Sequence, residues 1–190
     1  WIATVSLNIK ENQTFIYFAQ HFKAKGLPVP EVLAINKEGT CYIQEDVGTT
    51  SLLEVLEKEG KTDHVFSLFK KSLKSLAELQ VKGHQGLDYQ KCLTSKLFGN
   101  QSIMSDLLYY KYYFLDSLQY PYDKQALMNE FELLSDELAS KDFNYFLFRD
   151  FQSRNIMVHN DEVYFIDFQG GMQGGLSYDV ASLLWQAKAE

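Results

Sequence analysis

The chain has 190 residues, of which 46% are hydrophobic and 15% aromatic, and its formal net charge is -7. This length suits one domain, or one large lobe with a piece of another, and it allows a sizeable core. The acidic balance argues against a nucleic-acid partner, which would favour a basic face. No apolar run approaches the roughly 20 residues of a membrane span, so no membrane association is expected. Two distant cysteines without metal spacing predict a reducing, cytoplasmic setting.

The first fifty residues predict a mixed segment of strands and one helix. A strand is expected at residues 2–7. Asn8 followed by Glu11 is typical of a helix N-cap and its reciprocal partner, and apolar residues then recur at helical spacing. Two more strands are expected at 31–35 and 41–45, with turn residues between them. Because the first residues read as mid-strand and the last as mid-helix, we expect a fragment of a longer protein.

Helical patterns dominate from residue 51 onward. Ser51 and Glu54 have the spacing of a capping box, which opens the first of these helices. The expected helices cover residues 51–58, 62–82, 103–118 and 123–140. The aromatic run at 109–114 fits either of two roles, stacking on a sugar ring or forming the buried face of its helix.

The pattern changes again near residue 145. A short apolar run at 145–148 is followed by a predicted hairpin with strands at 156–158 and 163–166. The glycine-rich stretch 170–175 lacks the strand and GK(S/T) helix start of a phosphate cradle, so we expect a mobile loop over an acceptor or a plain flexible loop. A last helix is expected at 177–188. This order predicts two lobes with a hinge near residues 44–50.

Three polar residues near the hairpin form a pattern that suits phosphoryl transfer. Asp150 and Asn155 lie five residues apart in one loop, and Asp167 follows the second hairpin strand. The reaction needs a carboxylate at the attacking hydroxyl and oxygen ligands for Mg²⁺ on the phosphates. Each residue alone is more typical of a turn or a helix cap. Together with the hairpin, they predict Asp150 as the base, with Asn155 and Asp167 as metal ligands.

Residues 149–155 and 166–169 resemble the catalytic core of the aminoglycoside phosphotransferase and choline kinase-like family, a branch of the protein-kinase-like fold. They are most similar to bacterial kinases of the cell-wall amino sugars N-acetylmuramate and N-acetylglucosamine. The resemblance implies an α+β, two-lobed fold. Residues 1–48 would form a partial small lobe with the hinge, and residues 49–190 a mostly helical catalytic lobe that is incomplete at its C-terminus.

The same resemblance implies an ATP-dependent kinase that phosphorylates a hydroxyl group of a sugar-like small molecule with Mg²⁺. Asp179, which follows Tyr178 at the start of the last helix, would brace the catalytic loop around Phe148 and Arg149. Its alternative role is a simple helix-start carboxylate. Arg154 would contact phosphate or form a surface ion pair, and Gln169 would belong to the substrate loop.

Upstream residues resemble the nucleotide side of the family's cleft. Glu11 matches the small-lobe glutamate that pairs with a phosphate-binding lysine. Gln44, Glu45 and Asp46 match the hinge whose backbone would hydrogen-bond adenine. Further domains of the same chain are expected as partners.

Two departures from the family pattern leave an alternative open. Phe148 stands where the family has a histidine, and the strand at 2–7 carries no lysine to pair with Glu11. The amino-sugar kinases can lack this lysine, but its absence also fits a nucleotide-binding pseudokinase module that regulates a partner domain. A metal-dependent phosphatase is a third reading, in which the hinge-like segment 44–48 would have no role.

Overall fold

The computed structural model describes residues 1–140 and 145–186. Its N-terminal part is a three-stranded antiparallel sheet with one helix. The strands β1 (Ile2–Val5), β2 (Val32–Ile35) and β3 (Cys41–Gln44) follow the order β1-β3-β2, and α1 covers Ile9–Lys23. The predicted first strand therefore ends two residues early. Just beyond the strand end, the side chain of Asn12 donates hydrogen bonds to the carbonyl oxygens of residues 6 and 39.

The predicted cap of α1 is confirmed. The Asn8 side chain accepts a hydrogen bond from the Glu11 backbone N–H (3.3 Å) and donates one to the Glu11 carboxylate (2.8 Å). Further along α1, Phe15 lies between two rings. Its centroid is 5.1 Å from that of Tyr42 on β3 and 5.0 Å from that of Phe168, and both pairs are stacked. One side chain of α1 thus joins the sheet to the segment that follows the hairpin.

The larger part of the chain is mostly helical, as predicted, and the capping box at Ser51 and Glu54 is confirmed. Its helices are α2 (Leu52–Glu59), α3 (Asp63–His84), α4 (Asn100–Tyr110), α5 (Lys124–Ala139) and α6 (Leu176–Leu184). The helix predicted at 103–118 begins earlier and changes geometry, since a π-helical turn (Lys111–Leu115) and a 3-10 turn (Asp116–Leu118) follow α4. Residues 187 and 188 of the last predicted helix lie outside the described residues.

The aromatic run at 109–114 does not form a buried helix face, so that alternative was wrong. Its five aromatic side chains are between 46% and 70% exposed, and only Lys111 turns inward, where it pairs with Asp116 at 2.9 Å. The backbone changes from α-helical to π-helical geometry at the same residues where the aromatic side chains face solvent and Lys111 faces inward.

Two small antiparallel strand pairs lie beside the helices. The predicted hairpin is formed by β5 (Ile156–His159) and β6 (Glu162–Phe165), and β4 (Tyr145–Leu147) pairs with β7 (Met172–Gly174). The glycine-rich stretch 170–175 was predicted as a mobile or a plain flexible loop, and this prediction was wrong, because residues 172–174 form the strand β7. A Cβ at Gly174 would stand 2.7 Å from the Leu147 side chain, so glycine allows this close pairing.

One hydrophobic core runs through both parts of the molecule. Its largest fully buried side chains are phenylalanines from α1, from the β4 region and from the hairpin region, namely Phe18, Phe22, Phe146, Phe148, Phe151, Phe165 and Phe168. Phe22 and Phe146 meet edge to face with centroids 4.9 Å apart. In the described residues, no helix is long and apolar enough to cross a membrane.

Candidate active site

The structure brings the three predicted catalytic residues together. The Asn155 side-chain nitrogen donates to the Asp150 backbone oxygen (2.9 Å) and lies 3.4 Å from the Asp167 carboxylate. The backbone N–H of residue 166 donates to the Asn155 carbonyl at 3.1 Å, which folds the end of β6 back against the loop. A Cβ at Gly170 would lie 3.8 Å from the Asp150 carboxylate, so the segment after Asp167 also passes beside Asp150.

Two residues at the candidate site have unusual backbone conformations. Arg149 and Asp167 have φ angles of 82° and 66°, which non-glycine residues seldom adopt. Such strain persists where surrounding contacts impose it and is common at functional sites. Asp150 and Asp167 are both exposed residues.

The donor set fits a magnesium ion shared with a nucleotide. In residues 1–140 and 145–186, no three His, Cys, Asp or Glu side chains are grouped to hold a metal by themselves. Mg²⁺ commonly binds one or two carboxylates and completes its shell with waters and phosphate oxygens. Asp167 offers a carboxylate. Among the described residues, both side-chain hydrogen bonds of Asn155 use its amide nitrogen, which leaves its side-chain oxygen for a cation.

Asp179 braces the predicted catalytic loop through hydrogen bonds to its backbone. It is fully buried and accepts backbone N–H bonds from Phe148 (2.8 Å) and Arg149 (3.0 Å), with a third bond from the Gln80 side chain (2.8 Å). Burial raises the pKa of Asp179 to about 6, although these hydrogen bonds act in the opposite direction. Gln80 lies 99 residues before Asp179, so no local sequence pattern indicated it.

This buried carboxylate predicts a specific pH dependence of stability. The pKa of Asp179 is higher in the folded state than in the unfolded state, so its contribution is complete below about pH 4 and is lost as pH rises toward 6. In Asp179→Asn this loss disappears. The unfolding free energy of the wild type, relative to this variant, should fall by about 2 to 3 kcal/mol across that interval. Chemical denaturation at a series of pH values measures the unfolding free energies of both proteins. If the two free energies changed in parallel with pH, the prediction would be contradicted.

Phe148, which replaces the histidine of the family pattern, has no exposed surface. Its ring packs edge to face with three other rings, at centroid distances of 5.2 Å to Phe151, 6.1 Å to Phe165 and 6.4 Å to Phe168. Packing against residues on both sides of the hairpin thus holds the backbone immediately before Asp150.

Arg149 connects the catalytic loop to α4 through a residue that the sequence analysis did not single out. Its guanidinium donates two hydrogen bonds to Asp106, at 2.5 and 3.0 Å, and one to the Tyr178 hydroxyl at 3.1 Å. It also lies over the Phe98 ring, 4.9 Å from the centroid. The hydrogen bonds to Asp106 raise the pKa of Arg149. The two residues are 43 positions apart, so no local pattern could have paired them.

Removal of this pair should destabilise the protein and misplace the loop. In Asp106→Ala we expect a loss of about 1 to 2 kcal/mol, less than for a fully buried pair because the Asp106 side chain is 39% exposed. Thermal or chemical denaturation measures the loss. Glu78→Ala is the matched control, since it breaks an exposed pair with Lys82 on one face of α3 and should leave the stability nearly unchanged. Equal effects in the two variants would contradict the expectation.

The hinge residues occupy different environments. The Gln44 side-chain oxygen is buried without a hydrogen-bond partner among the described residues. Glu45 bonds within the N-terminal part of the molecule, since its backbone N–H donates to the Glu31 carbonyl (2.8 Å). The Lys23 ammonium lies 2.7 Å from the Glu45 carboxylate and lowers the pKa of Glu45. The Asp46 side chain accepts the backbone N–H of residue 48. Contacts of Gln44, Glu45 and Asp46 with adenine stay a prediction.

Glu11 and Gln169 meet at 3.3 Å, between the start of α1 and the segment after Asp167. Glu11 therefore faces the predicted metal site, although the strand β1 offers no lysine to it. Arg154 is exposed on the 3-10 turn just before Asn155, and in the described chain no ion pair holds it. Its contact with phosphate stays a prediction.

Comparison with known proteins gives a consistent picture. The family described as "Phosphotransferase enzyme family" matches residues 8–190. The N-acetylmuramate/N-acetylglucosamine kinase of Neisseria meningitidis serogroup B is 28% identical over 171 residues, which is 85% of this chain and 47% of that protein. The chain thus spans about half the length of this curated relative.

Solved structures of a thermostable mutant of aminoglycoside phosphotransferase APH(4)-Ia have the same fold. A ternary complex with ADP and hygromycin B superposes with a TM-score of 0.54 at 17% identity, covering 95% of this chain and 63% of that one. The apo form gives 0.53 at 20% identity, covering 95% and 64%. The predicted α+β protein-kinase-like fold is confirmed, as is the resemblance to these phosphotransferases.

Proposed function

The chain belongs to the phosphotransferase enzyme family, and we propose that it transfers the γ-phosphoryl group of ATP to a hydroxyl group of a sugar or amino sugar. The observation that carries this proposal is the convergence of Asp150, Asn155 and Asp167 across the β5–β6 hairpin. A base and a metal-binding pair that flank one short hairpin suit transfer from a metal–nucleotide complex.

Asp150 is the residue that we assign to the acceptor. Its carboxylate is exposed, while its backbone oxygen is held by Asn155 and by the N–H of residue 152. The side chain can therefore accept a hydrogen bond from an incoming hydroxyl and take its proton as the new P–O bond forms. Arg149 and Asp179 keep the loop in place, so that little reorganisation accompanies the reaction.

Asn155 and Asp167 are the residues that we assign to the metal. When bound, Mg²⁺ supplies charge neutralisation to the phosphates during transfer. The two side chains would orient the nucleotide through that ion, and Arg154, which directly precedes Asn155 in the sequence, is a further candidate for phosphate. The buried oxygen of Gln44 and the backbone near Asp46 lie at the end of β3, where we place adenine.

An amino sugar is the acceptor that we favour. This choice rests on the similarity of residues 149–155 and 166–169 to the cell-wall amino-sugar kinases and on the N-acetylmuramate/N-acetylglucosamine kinase relative. The exposed tyrosines between residues 109 and 113 offer ring faces of the kind that stack on sugars.

A coupled ADP-release assay tests the proposal. The purified protein is given Mg²⁺-ATP with N-acetylated amino sugars, aminoglycosides or amino alcohols in separate reactions. We expect turnover with the amino sugars. Turnover with another group only would keep the kinase and change its substrate. ATP binding without turnover on any acceptor would favour the pseudokinase, which Phe148 and the lysine-free β1 motivate. Phosphate release from a phosphosugar without nucleotide would favour a phosphatase.

A further inference from the structure

Gln169 forms a bridge between two carboxylates from distant parts of the chain. Its side-chain nitrogen donates to Asp167 at 2.8 Å and to Glu11 at 3.3 Å. Asp167 lies two residues away, whereas Glu11 lies 158 residues away on α1. An amide nitrogen has two hydrogens, so it can serve both acceptors at once.

The orientation of this amide is fixed by chemistry. The reversed amide would point its oxygen at two carboxylates and lose both hydrogen bonds. In the observed orientation, the Gln169 oxygen is buried without a partner among the described residues. A buried polar atom without a partner is destabilising and calls for an explanation. The two carboxylates impose the orientation, and the unpaired oxygen is its cost.

Glu11 is held on its other side as well. Asn8 donates to the second carboxylate oxygen of Glu11 at 2.8 Å, and within the described part of the chain Glu11 forms no ion pair. One turn further along α1, Phe15 stacks on Phe168 with the rings 11° apart. The helix thus contacts residues 168 and 169 at two successive turns of the same face.

We propose that Gln169 is a positioning residue that couples α1 to Asp167 and sets the Asp167 carboxylate for the metal–nucleotide complex. This inference rests on the proposed role of Asp167. The proposed role requires that the bridging side chain be uncharged. A cationic donor at this place would also satisfy both carboxylates, but its charge would oppose a divalent cation at Asp167.

Three variants of the purified protein and one control test this proposal. Gln169→Leu removes the bridge, Gln169→Lys keeps a donor but adds a positive charge, and Glu11→Gln removes one carboxylate. Gln13→Leu is the matched control, because Gln13 is an exposed glutamine on α1 two residues beyond Glu11. Calorimetry measures the affinity for ADP with and without Mg²⁺, and thermal denaturation measures stability.

We expect Gln169→Leu to weaken binding of Mg²⁺-ADP about tenfold, the size of one hydrogen bond to a charged group, and to leave Mg²⁺-free ADP binding unchanged. Gln169→Lys should keep the melting temperature of the wild type and still raise the Mg²⁺ concentration needed for binding. Gln13→Leu should match the wild type. Equal losses with and without Mg²⁺, or no loss in Gln169→Leu, would overturn the proposal.

A double-mutant cycle separates this proposal from the proposed function. If Gln169 acts through Glu11, the double variant Glu11→Gln/Gln169→Leu should be no less stable than Gln169→Leu alone. Strictly additive losses would refute the bridge even in a protein that binds nucleotide. A wild-type protein that binds no nucleotide would overturn both the proposed function and the role of Gln169 at the metal, whatever the cycle shows.

Discussion

Asp150→Asn is expected to lower kcat by about 10³-fold and to leave the KM for Mg²⁺-ATP nearly unchanged. The amide can still receive a hydrogen bond from the acceptor, but it cannot take the proton, and a general base contributes about 10²- to 10⁴-fold to such reactions. The fold should persist, since Asn155 holds the backbone oxygen of Asp150 rather than its side chain. Steady-state kinetics with the acceptor found in the ADP-release assay measure the change.

Asp63→Asn is a suitable control for Asp150→Asn, because it neutralises an exposed carboxylate in the first turn of α3. Its kcat should match that of the wild type. Wild-type rates in Asp150→Asn would show that another group takes the proton, and the assignment of this residue would then be wrong.

Asp167→Asn is expected to affect both binding and turnover. Loss of the carboxylate removes the charged ligand that we assign to Mg²⁺, so we expect roughly tenfold weaker Mg²⁺-nucleotide binding and a kcat lower by about 10²- to 10³-fold. Titration of ADP at several Mg²⁺ concentrations, together with steady-state rates, measures the two effects. Thermal denaturation verifies the fold, because the substituted amide changes the contacts with Asn155 and Gln169.

The Mg²⁺ dependence distinguishes this variant from one that is merely unstable. The affinity for Mg²⁺-free ADP should change little in Asp167→Asn, because the assigned ligand acts through the ion. An unchanged Mg²⁺ dependence in a folded Asp167→Asn protein would remove Asp167 from the metal site.

Local sequence patterns were sufficient for most of the helices. The Asn8 cap and the Ser51 capping box depend on residues three apart, and both were predicted correctly. The strand β7 was not predicted, because glycine has a low strand propensity and the pairing partner at 145–147 lies far away in the chain. The inward turn of Lys111 was also missed. Aromatic residues in a helix usually mark a core, but here the five aromatic side chains are exposed.

The candidate site divides in the same way. Asp150, Asn155 and Asp167 could be placed because a loop and a short hairpin connect them. Asp106, Gln80 and the contact of Gln169 with Glu11 could not, because each pairs with a residue at least 43 positions away. A single charged or amide side chain gives no sign of its partner when a whole helix or sheet separates them.

The stack of Tyr42, Phe15 and Phe168 limits how α1 can move. In many two-state proteins, a helix that swings away from its site switches activity off. Here such a swing would separate Phe15 from two rings, each contact contributing about 0.5 to 1.5 kcal/mol beyond the buried area. The displaced conformation would then be rarer by about 5- to 150-fold than without the stack. A nucleotide bound at the proposed site would meet a helix already in position, so little of its binding energy would be spent on selecting that conformation.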